Sequence, residues 1–506
     1  MNETSGPSAE ALGWIPLRLV AVAPLAGHSV ERPGAPLRIV KGALDEAMAK
    51  VSPRLQIQVA DPAGGGGATT VNLTFQSLDD FRPAALIEQI PPAKALLETR
   101  STSPERAGEI AALLTRWLDG VIHHPAFQEL EGAWRGLDYL AGRGGAEGGA
   151  LTPLILQALV AGPGEDYVQR FREQIFDPDY DGREDVPLAA VIADYQFDHQ
   201  APSMDRLNRL AGLANALQVG FFAAAGAPMF GLKNLAHLPA MPDLVTRTSG
   251  GPYAAWTSFQ KENAARWVGL TVNRMLLRAP WGHDAASSSA ANGFAYKETV
   301  DPAHPEWLPW GNAVWAAGAS LAASYTEHGH CAAADGLSGT GGHHGLPTRE
   351  LVQSATKKVR MATEISLPDE KAWELCRAGF TPMVGMVDGD IAYFPFLGNV
   401  YRPRVGSITL DQAMTYQLYA GQVTHVILKL QSATPPGDPE NVCRWLEQEL
   451  FNQLSPWVGE KPGEGVKVVS TPIPEGGAVA TIKVVPTFKI QDKPVELEMQ
   501  VGLGSP

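Results

Sequence analysis

Several common features are scarce or missing in this 506-residue chain, and each shortage excludes a class of protein. Basic residues are outnumbered, with 40 Lys and Arg against 54 Asp and Glu, which excludes a general nucleic-acid binder. The three cysteines are far apart and form no C-x-x-C pair, as expected in a reducing compartment. The longest apolar stretch, residues 216–232, is interrupted by glycine and proline and predicts no membrane insertion. Because no signal peptide is readable either, we predict a cytoplasmic protein.

Sequence motifs for catalysis are lacking as well. The chain contains no Walker A, G-x-S-x-G, H-E-x-x-H or dinucleotide-binding motif, so we predict no enzymatic activity and no cofactor. What it has instead is 45% apolar and 19% charged residues, enough for a large core and, by length, two to four domains. Residues 1–13 are small and polar and predict a flexible tail.

One segment, EHGHCAAADGLSGTGGHHGLP at residues 327–347, is a candidate for metal chemistry. Histidine is a common zinc ligand, and the candidate ligands are His328, His330, His343 and His344. Their spacing matches no standard zinc motif, and most of the intervening residues are small. We therefore predict no metal site and interpret the segment as a glycine-rich connection. The alternative is an enzyme that uses these histidines.

The first hundred residues carry strand patterns. Residues 54–60 and 70–75 alternate apolar with polar side chains and predict a long hairpin. Another strand is predicted at 14–24, where Arg18 alternates with apolar neighbours. Ser77, with an aspartate three residues later, predicts a capped short helix.

Two stretches carry distinctive motifs, F-x-S-L-D-D-F-x-P at residues 75–83 and IHHPAFQELEGAWRGLDYL at residues 122–140. Through them the chain resembles two sheath proteins of type VI secretion systems in succession. Residues 14–100 resemble the small subunit TssB, most specifically in F-x-S-L-D-D-F-x-P at 75–83. From about residue 105 the chain resembles the large subunit TssC, beginning with IHHPAFQELEGAWRGLDYL at 122–140, where we expect two helices separated near Pro125. The signature residues expected in the core are Phe127, Trp134, Leu137, Trp256, Arg274 and Arg278.

This resemblance implies an α/β fold: a mixed sheet with packed helices, forming a contractile-sheath-like core built from both fused portions. Sheath subunits are normally separate chains, so fusion makes their association intramolecular. We expect helices around 206–226 and 308–325 in the core. The predicted divisions are a tail at 1–13, a TssB-like portion at 14–100, a junction at 101–108, a TssC-like core at 109–423 and a C-terminal portion at 424–506.

The end of the chain predicts a β-hairpin, because two alternating stretches flank the short linker QDKP. A two-stranded hairpin is marginal in water and needs further strands or a surface to pack on. It either joins a sheet of its own chain or, as the resemblance implies, accepts strands from neighbouring protomers. The inward residues are Ile482, Val484, Phe488, Ile490, Val495, Leu497, Met499 and Val501.

Residues 438–459 predict an amphipathic helix before this hairpin. We expect Trp445, Leu446, Leu450 and Leu454 to face the core. Glu440, Glu447 and Glu449 are expected to face outward, and the resemblance implies that such a helix faces the inner tube of a sheath.

The resemblance implies a structural subunit that packs helically around an inner tube. Its expected partners are further copies of itself, a tube protein of the Hcp type and baseplate-like components. The family's N-terminal arm strand, and the helix recognised by its AAA+ recycling ATPase, are largely missing from this sequence, which puts that ATPase in doubt as a partner. The alternative is a sheath-derived protein that does not contract and acts as a monomer, ring, cap or adaptor.

Overall fold

The computed structural model describes residues 16–62, 67–143, 154–162, 165–283, 290–291, 293–354, 357–404, 406–435, 437–461, 463–473 and 478–503. The tail predicted at residues 1–13 lies outside these ranges.

The TssB-like portion and the first helices after it begin the fold. The predicted hairpin is confirmed as β3 and β4, and the predicted pair of helices as α4 and α5. The elements are β1 (Leu17–Ala23), β2 (Leu37–Ile39), α1 (Leu44–Val51), β3 (Arg54–Ala60), β4 (Ala68–Thr74), α2 (Pro83–Gln89), α3 (Pro91–Thr102), α4 (Ala107–Ile122) and α5 (Pro125–Arg143).

The middle of the chain alternates strands with helices. Its elements are β5 (Leu154–Val160), α6 (Glu165–Phe171), α7 (Asp177–Tyr180), β6 (Leu188–Phe197), α8 (Ala201–Leu217), β7 (Gly220–Ala225), α9 (Leu244–Arg247), α10 (Ala254–Phe259), β8 (Val268–Val272), β9 (Arg274–Leu276), β10 (Ala290–Ala291), β11 (Phe294–Ala295), β12 (Trp310–Asn312), α11 (Val314–His328), β13 (Gly342–His343), β14 (Arg349–Ser354) and β15 (Lys357–Met361). The helix expected over 206–226 is wrong in its second half, because the apolar run there forms β7.

The last third carries two long helices and a separate small sheet. Its elements are α12 (Asp369–Arg377), β16 (Thr381–Pro382), β17 (Val384–Gly385), β18 (Ala392–Tyr393), α13 (Met414–Ser432), α14 (Pro439–Val458), β19 (Val466–Pro472), β20 (Ala478–Val484), β21 (Lys489–Ile490), β22 (Lys493–Pro494) and β23 (Leu497–Leu503). The amphipathic helix predicted at 438–459 is confirmed as α14, with Asp438 capping its first backbone N–H groups.

The main sheet has seven strands in the order β16-β8-β7-β6-β1-β5-β2. Its strands are parallel except β2, which pairs antiparallel with β5. Strand β1, from the TssB-like portion, lies between β5 and β6 of the TssC-like portion. The expected α/β fold, with one mixed sheet assembled from both portions, is therefore confirmed.

Strand β1 is buried along its whole length, unlike the half-exposed strand that its alternation predicts. Leu19 and its neighbours of the same parity join one core cluster, whereas Val20 and Val22 join the cluster on the opposite face. Arg18 is buried as well, and its guanidinium donates to Asp179 at 2.8 Å and to Gln157 at 2.9 Å. A buried charge is tolerated here because a carboxylate and an amide oxygen accept its hydrogens.

Side chains of the two portions share the larger core cluster. Phe75 and Phe81 stack with ring centroids 4.3 Å apart, and both rings contact Phe127 of α5. The indole N–H of Trp134 donates to the backbone oxygen of Leu25, 2.9 Å away, which ties α5 to the segment after β1. The two fused portions therefore pack into one folded unit and are not separate domains joined by a linker.

The predicted junction at 101–108 is helical. Helix α3 ends at Thr102, a single 3-10 turn covers Pro104–Arg106, and α4 begins at once. The division predicted between residues 423 and 424 falls inside α13.

Candidate functional site

The C-terminal sheet is a three-stranded antiparallel sheet in the order β19-β20-β23, separate from the main sheet. The predicted hairpin is present as β20 and β23, but a second, smaller hairpin lies between these two strands. Strand β20 ends at Val484, and the chain then forms the small β21–β22 hairpin before β23 returns. Gln491 and Asp492 form its tip, both with positive φ, as a tight two-residue turn requires. Strand β19 was not predicted from the sequence, although the alternation of Val466 and Val468 with polar residues indicates a strand.

The predicted inward face of this sheet is buried against the chain's own helices. Ile482, Val484, Ile490, Val495 and Leu497 are buried, and Phe488, Met499 and Val501 are partly buried against the same core cluster. Helix α14 covers β19 and β20, and the Thr424 hydroxyl of α13 reaches the Met499 sulfur at 3.8 Å. The sequence left open whether the hairpin joins a sheet of its own chain or accepts strands from neighbouring protomers. The structure shows the first arrangement, because the chain itself supplies a third strand, β19, and a packing surface.

The two edges of the sheet differ. On β19, the carboxylate of Glu447 accepts a hydrogen bond from the backbone N–H of Val468 at 2.8 Å. An acidic side chain bonded to edge backbone blunts that edge against further pairing. Strand β23 is the opposite edge. Of the three glutamates predicted to face outward, Glu440 is exposed and Glu447 and Glu449 are partly exposed.

The histidine-rich segment contacts the C-terminal sheet. The ring of His330 lies 4.0 Å from that of Phe488, between β20 and β21. The Asp335 carboxylate accepts a hydrogen bond from the Gln491 amide at 2.6 Å. Burial raises the pKa of Asp335 to about 6 and lowers that of His330 to about 4, with the nearby His328 contributing to the second shift.

His343 lies in a different environment, buried between α5 and α11. One ring nitrogen is 2.6 Å from the Tyr139 hydroxyl and the other is 2.9 Å from the Ser320 hydroxyl. A serine, a histidine and an orienting hydroxyl are the parts of a nucleophile–base arrangement. Here both Ser320 and His343 are fully buried, and burial lowers the pKa of His343 to about 3. The arrangement joins two helices.

The four candidate metal ligands do not converge. His328 stacks on His330, His343 is enclosed by α5 and α11, and His344 is exposed. Across the described ranges, no group of three or more His, Cys, Asp or Glu side chains is placed to hold a metal ion.

The signature residues are mostly core residues. Phe127, Trp134, Leu137 and Trp256 are buried, and Trp256 stacks on Phe380 with centroids 5.2 Å apart. Arg274 is partly exposed and makes a two-pronged contact with Glu364, at 2.6 and 2.8 Å.

Arg278 is the centre of a buried charge network. Its guanidinium donates to Glu131 of α5 at 2.8 Å and to Glu298 at 2.7 Å. Arg135 donates to the same Glu131 carboxylate, so two cations balance two carboxylates. Burial alone would raise the pKa of Glu298, but Arg278, His123 and a backbone N–H outweigh it and lower the pKa to about 2. The sequence could not reveal these partners, because Glu131 lies 147 positions from Arg278.

Among the helices in the described parts of the chain, none is long and apolar enough to cross a bilayer.

Two protein-family models match successive parts of this chain. Residues 105–398 match the family VipB, described as EvpB/VC_A0108, tail sheath N-terminal domain. Residues 10–109 match T6SS_VipA, described as type VI secretion system, VipA, VC_A0107 or Hcp2.

Two relatives come from Pseudomonas aeruginosa. Type VI secretion system sheath protein TssC1 is 27% identical over 306 residues, or 58% of this chain and 61% of TssC1. Sheath protein TssB1 is 31% identical over 117 residues, or 22% of this chain and 63% of TssB1. The chain thus spans less than two thirds of the length of either relative.

A solved sheath tail protein from Desulfitobacterium hafniense aligns over 99% of both chains, at 8% identity and a TM-score of 0.38, too loosely to bear on the fold. The sequence matches are independent of that alignment. Because the VipB match covers more than half of the chain and the VipA match directly precedes it, this chain belongs to the VipB tail sheath family and carries a VipA-type segment fused ahead of it.

Proposed function

We propose that this protein is a structural subunit of a type VI secretion-like sheath, and that copies of it associate by strand pairing at β23. The observation that carries the proposal is the edge position of β23 in a small sheet whose other edge is blunted by Glu447. An unpaired edge strand is a template for a strand of another chain. Membership of a tail sheath family supports an assembly of many copies, in which such pairing would join one copy to the next.

The proposed partners follow from the same family. They are further copies of this chain, an inner tube protein of the Hcp type and baseplate-like components, all in the cytoplasm. The face of α14 that carries Glu440, Glu447 and Glu449 is the surface proposed to face the tube. We expect no catalytic activity and no cofactor.

Fusion sets the composition of such an assembly. Since β1 of the VipA-type segment lies inside the main sheet, each copy carries both sheath portions in a fixed one-to-one ratio. The high effective concentration of the tethered segment favours this internal pairing over exchange between chains.

Electron microscopy of the purified full chain, alone and with a tube protein of the Hcp type, tests the proposal. Hollow helical cylinders are the expected result, and sedimentation gives their yield. Dispersed particles at all salt concentrations, with and without tube protein, would contradict the sheath role and favour a non-contractile cap, ring or adaptor.

Two neighbouring proline variants test the edge. Met499→Pro and Gln500→Pro each remove one backbone N–H of β23, and successive N–H groups of a strand point to opposite sides. The variant that removes the N–H facing away from β20 should keep the C-terminal sheet and fail to polymerise. The other variant should destabilise the sheet itself. If neither variant reduces the yield of cylinders, β23 is not the pairing edge.

A further inference from the structure

Four aromatic rings from four parts of the chain meet at the C-terminal sheet. Phe488 is central, with ring centroids 4.0 Å from His330, 5.6 Å from Tyr419 of α13 and 6.4 Å from Trp457 of α14. Tyr419 and Trp457 also contact each other at 5.8 Å. Aromatic pairs at these separations stabilise beyond the area they bury.

Polar contacts reinforce this cluster at two points. The Trp457 indole N–H donates to the backbone oxygen of Gly329 at 2.8 Å. Asp335 accepts from Gln491 at 2.6 Å and from the backbone N–H of Leu397 at 3.0 Å. Leu397 belongs to the larger core cluster, so Asp335 connects the tip of the β21–β22 hairpin to that core.

These contacts lie at a point from which they can fix the position of the C-terminal sheet. Phe488 and Gln491 both lie in the excursion between the paired strands β20 and β23. A contact that fixes the excursion fixes where both strands leave and re-enter the sheet. An edge that is held in one orientation pairs with a partner strand at lower entropic cost than one that moves.

We infer that residues 328–336, here called the docking segment, position the C-terminal sheet and so hold β23 ready for strand pairing. His330 and Asp335 are its positioning residues, and Phe488 and Gln491 are what they hold. This inference rests on the proposed function for its purpose, but the docking itself is a property of the single chain. It also gives the histidine-rich segment a role that needs no metal.

Hydrogen exchange of the unassembled chain tests the docking directly. In His330→Ala, amide exchange in β20 and β23 should rise at least tenfold, while exchange in α4 and α5 stays at the wild-type rate. His330→Phe keeps a ring against Phe488 and should retain protection. His344→Ala is the matched control, since His344 is an exposed histidine of the neighbouring stretch. Equal exchange in wild type and His330→Ala overturns the inference, as does faster exchange throughout the core.

Gln491→Ala provides a second, milder test at the hairpin tip, because it removes only the hydrogen bond to Asp335. It should raise exchange in β21–β22 and β23 and lower the yield of polymer under the conditions in which wild type assembles. Normal exchange together with normal assembly would overturn the docking role. If wild type forms no polymer at all, the proposed function fails, yet the exchange measurements still decide the docking.

Discussion

Val484 lies directly opposite Leu497 in the pairing of β20 with β23, and both side chains are buried. The pair closes the inner face of the C-terminal sheet at the point where the chain leaves for the β21–β22 excursion. It therefore lies between the part of the sheet that packs on α14 and the β21–β22 tip that contacts Asp335.

Replacing Val484 with Asp should destabilise this sheet by about 3 kcal/mol or more, since the change buries an unpaired carboxylate. Chemical denaturation measures the loss, and sedimentation should show failed assembly or aggregation. Gln500→Asp is the control, because Gln500 is exposed on the outer face. Similar losses for both variants would mean that the inner face is assigned incorrectly.

Arg278→Met should cost roughly 3–5 kcal/mol of unfolding free energy, because it leaves Glu131 and Glu298 buried with only one cation nearby. Arg274→Met is the matched comparison and should cost clearly less, since Arg274 pairs with one carboxylate and is partly exposed. Denaturant titration of both variants checks the order. A smaller loss for Arg278→Met than for Arg274→Met would contradict the central role of the buried network.

Acid stability should report on the same network. The pKa of Glu298 lies at about 2 in the folded chain, below its ordinary 4.5, so its stabilising contribution is complete above pH 4.5 and is lost as the pH falls towards 2. Removing Arg278 removes the largest cause of that lowering. Acid unfolding of Arg278→Met, followed by circular dichroism, should therefore begin at a higher pH than in wild type. Coincident curves would show that this carboxylate does not govern acid stability.

Cleavage of the junction should leave the two portions associated. A protease site inserted between Ser103 and Pro104 lies on the exposed turn before α4, whereas β1 stays between β5 and β6. After cleavage the fragments should co-elute in size-exclusion chromatography and separate only in denaturant. Uncut protein carrying the same insertion controls for the insertion itself. Separation under native conditions would mean that the covalent link, rather than the shared sheet, holds the portions together.

Local patterns were sufficient to predict several elements. The alternation in residues 54–60 and 70–75 gave β3 and β4, and the apolar stripe after Asp438 gave α14, because in both cases one face meets the core and the other meets water. Strand β1 shows the limit. Both of its faces are buried, so its alternation carried no information about which strands flank it.

The candidate site was predictable in its strands but not in its contacts. The inward residues of the hairpin follow from period-two alternation. The contact of His330 with Phe488 joins residues more than 150 positions apart, and nothing local in either stretch indicates it. The hydrogen bond that Glu447 accepts could not be predicted for a related reason: its donor, Val468, belongs to β19, a strand that was not predicted from the sequence.

The docking segment should respond to pH through two opposing groups. His330 has a pKa of about 4 when docked against an ordinary 6.5, so between pH 6.5 and 4 the undocked state binds the proton more tightly and docking weakens as the pH falls. Asp335 has a pKa of about 6 in the folded chain against an ordinary 3.8, because burial outweighs its hydrogen bonds. Where undocking exposes this carboxylate to water, the docked state binds the proton more tightly, and docking strengthens as the pH falls between 6 and 4. Neighbouring His328 and Asp492 contribute to these shifts.

The two effects oppose each other in wild type and should separate in single variants. On acidification from pH 6.5 to 4.5, docking should tighten in His330→Phe and loosen in Asp335→Asn, by at most about tenfold per pH unit for one proton. Hydrogen exchange of β20 and β23, corrected for the intrinsic pH dependence of amide exchange, measures both trends. Trends of the same sign in the two variants would show that these residues do not control the docking. The reason is that protonation of His330 weakens docking, whereas protonation of Asp335 strengthens it, and each variant removes one of these two groups.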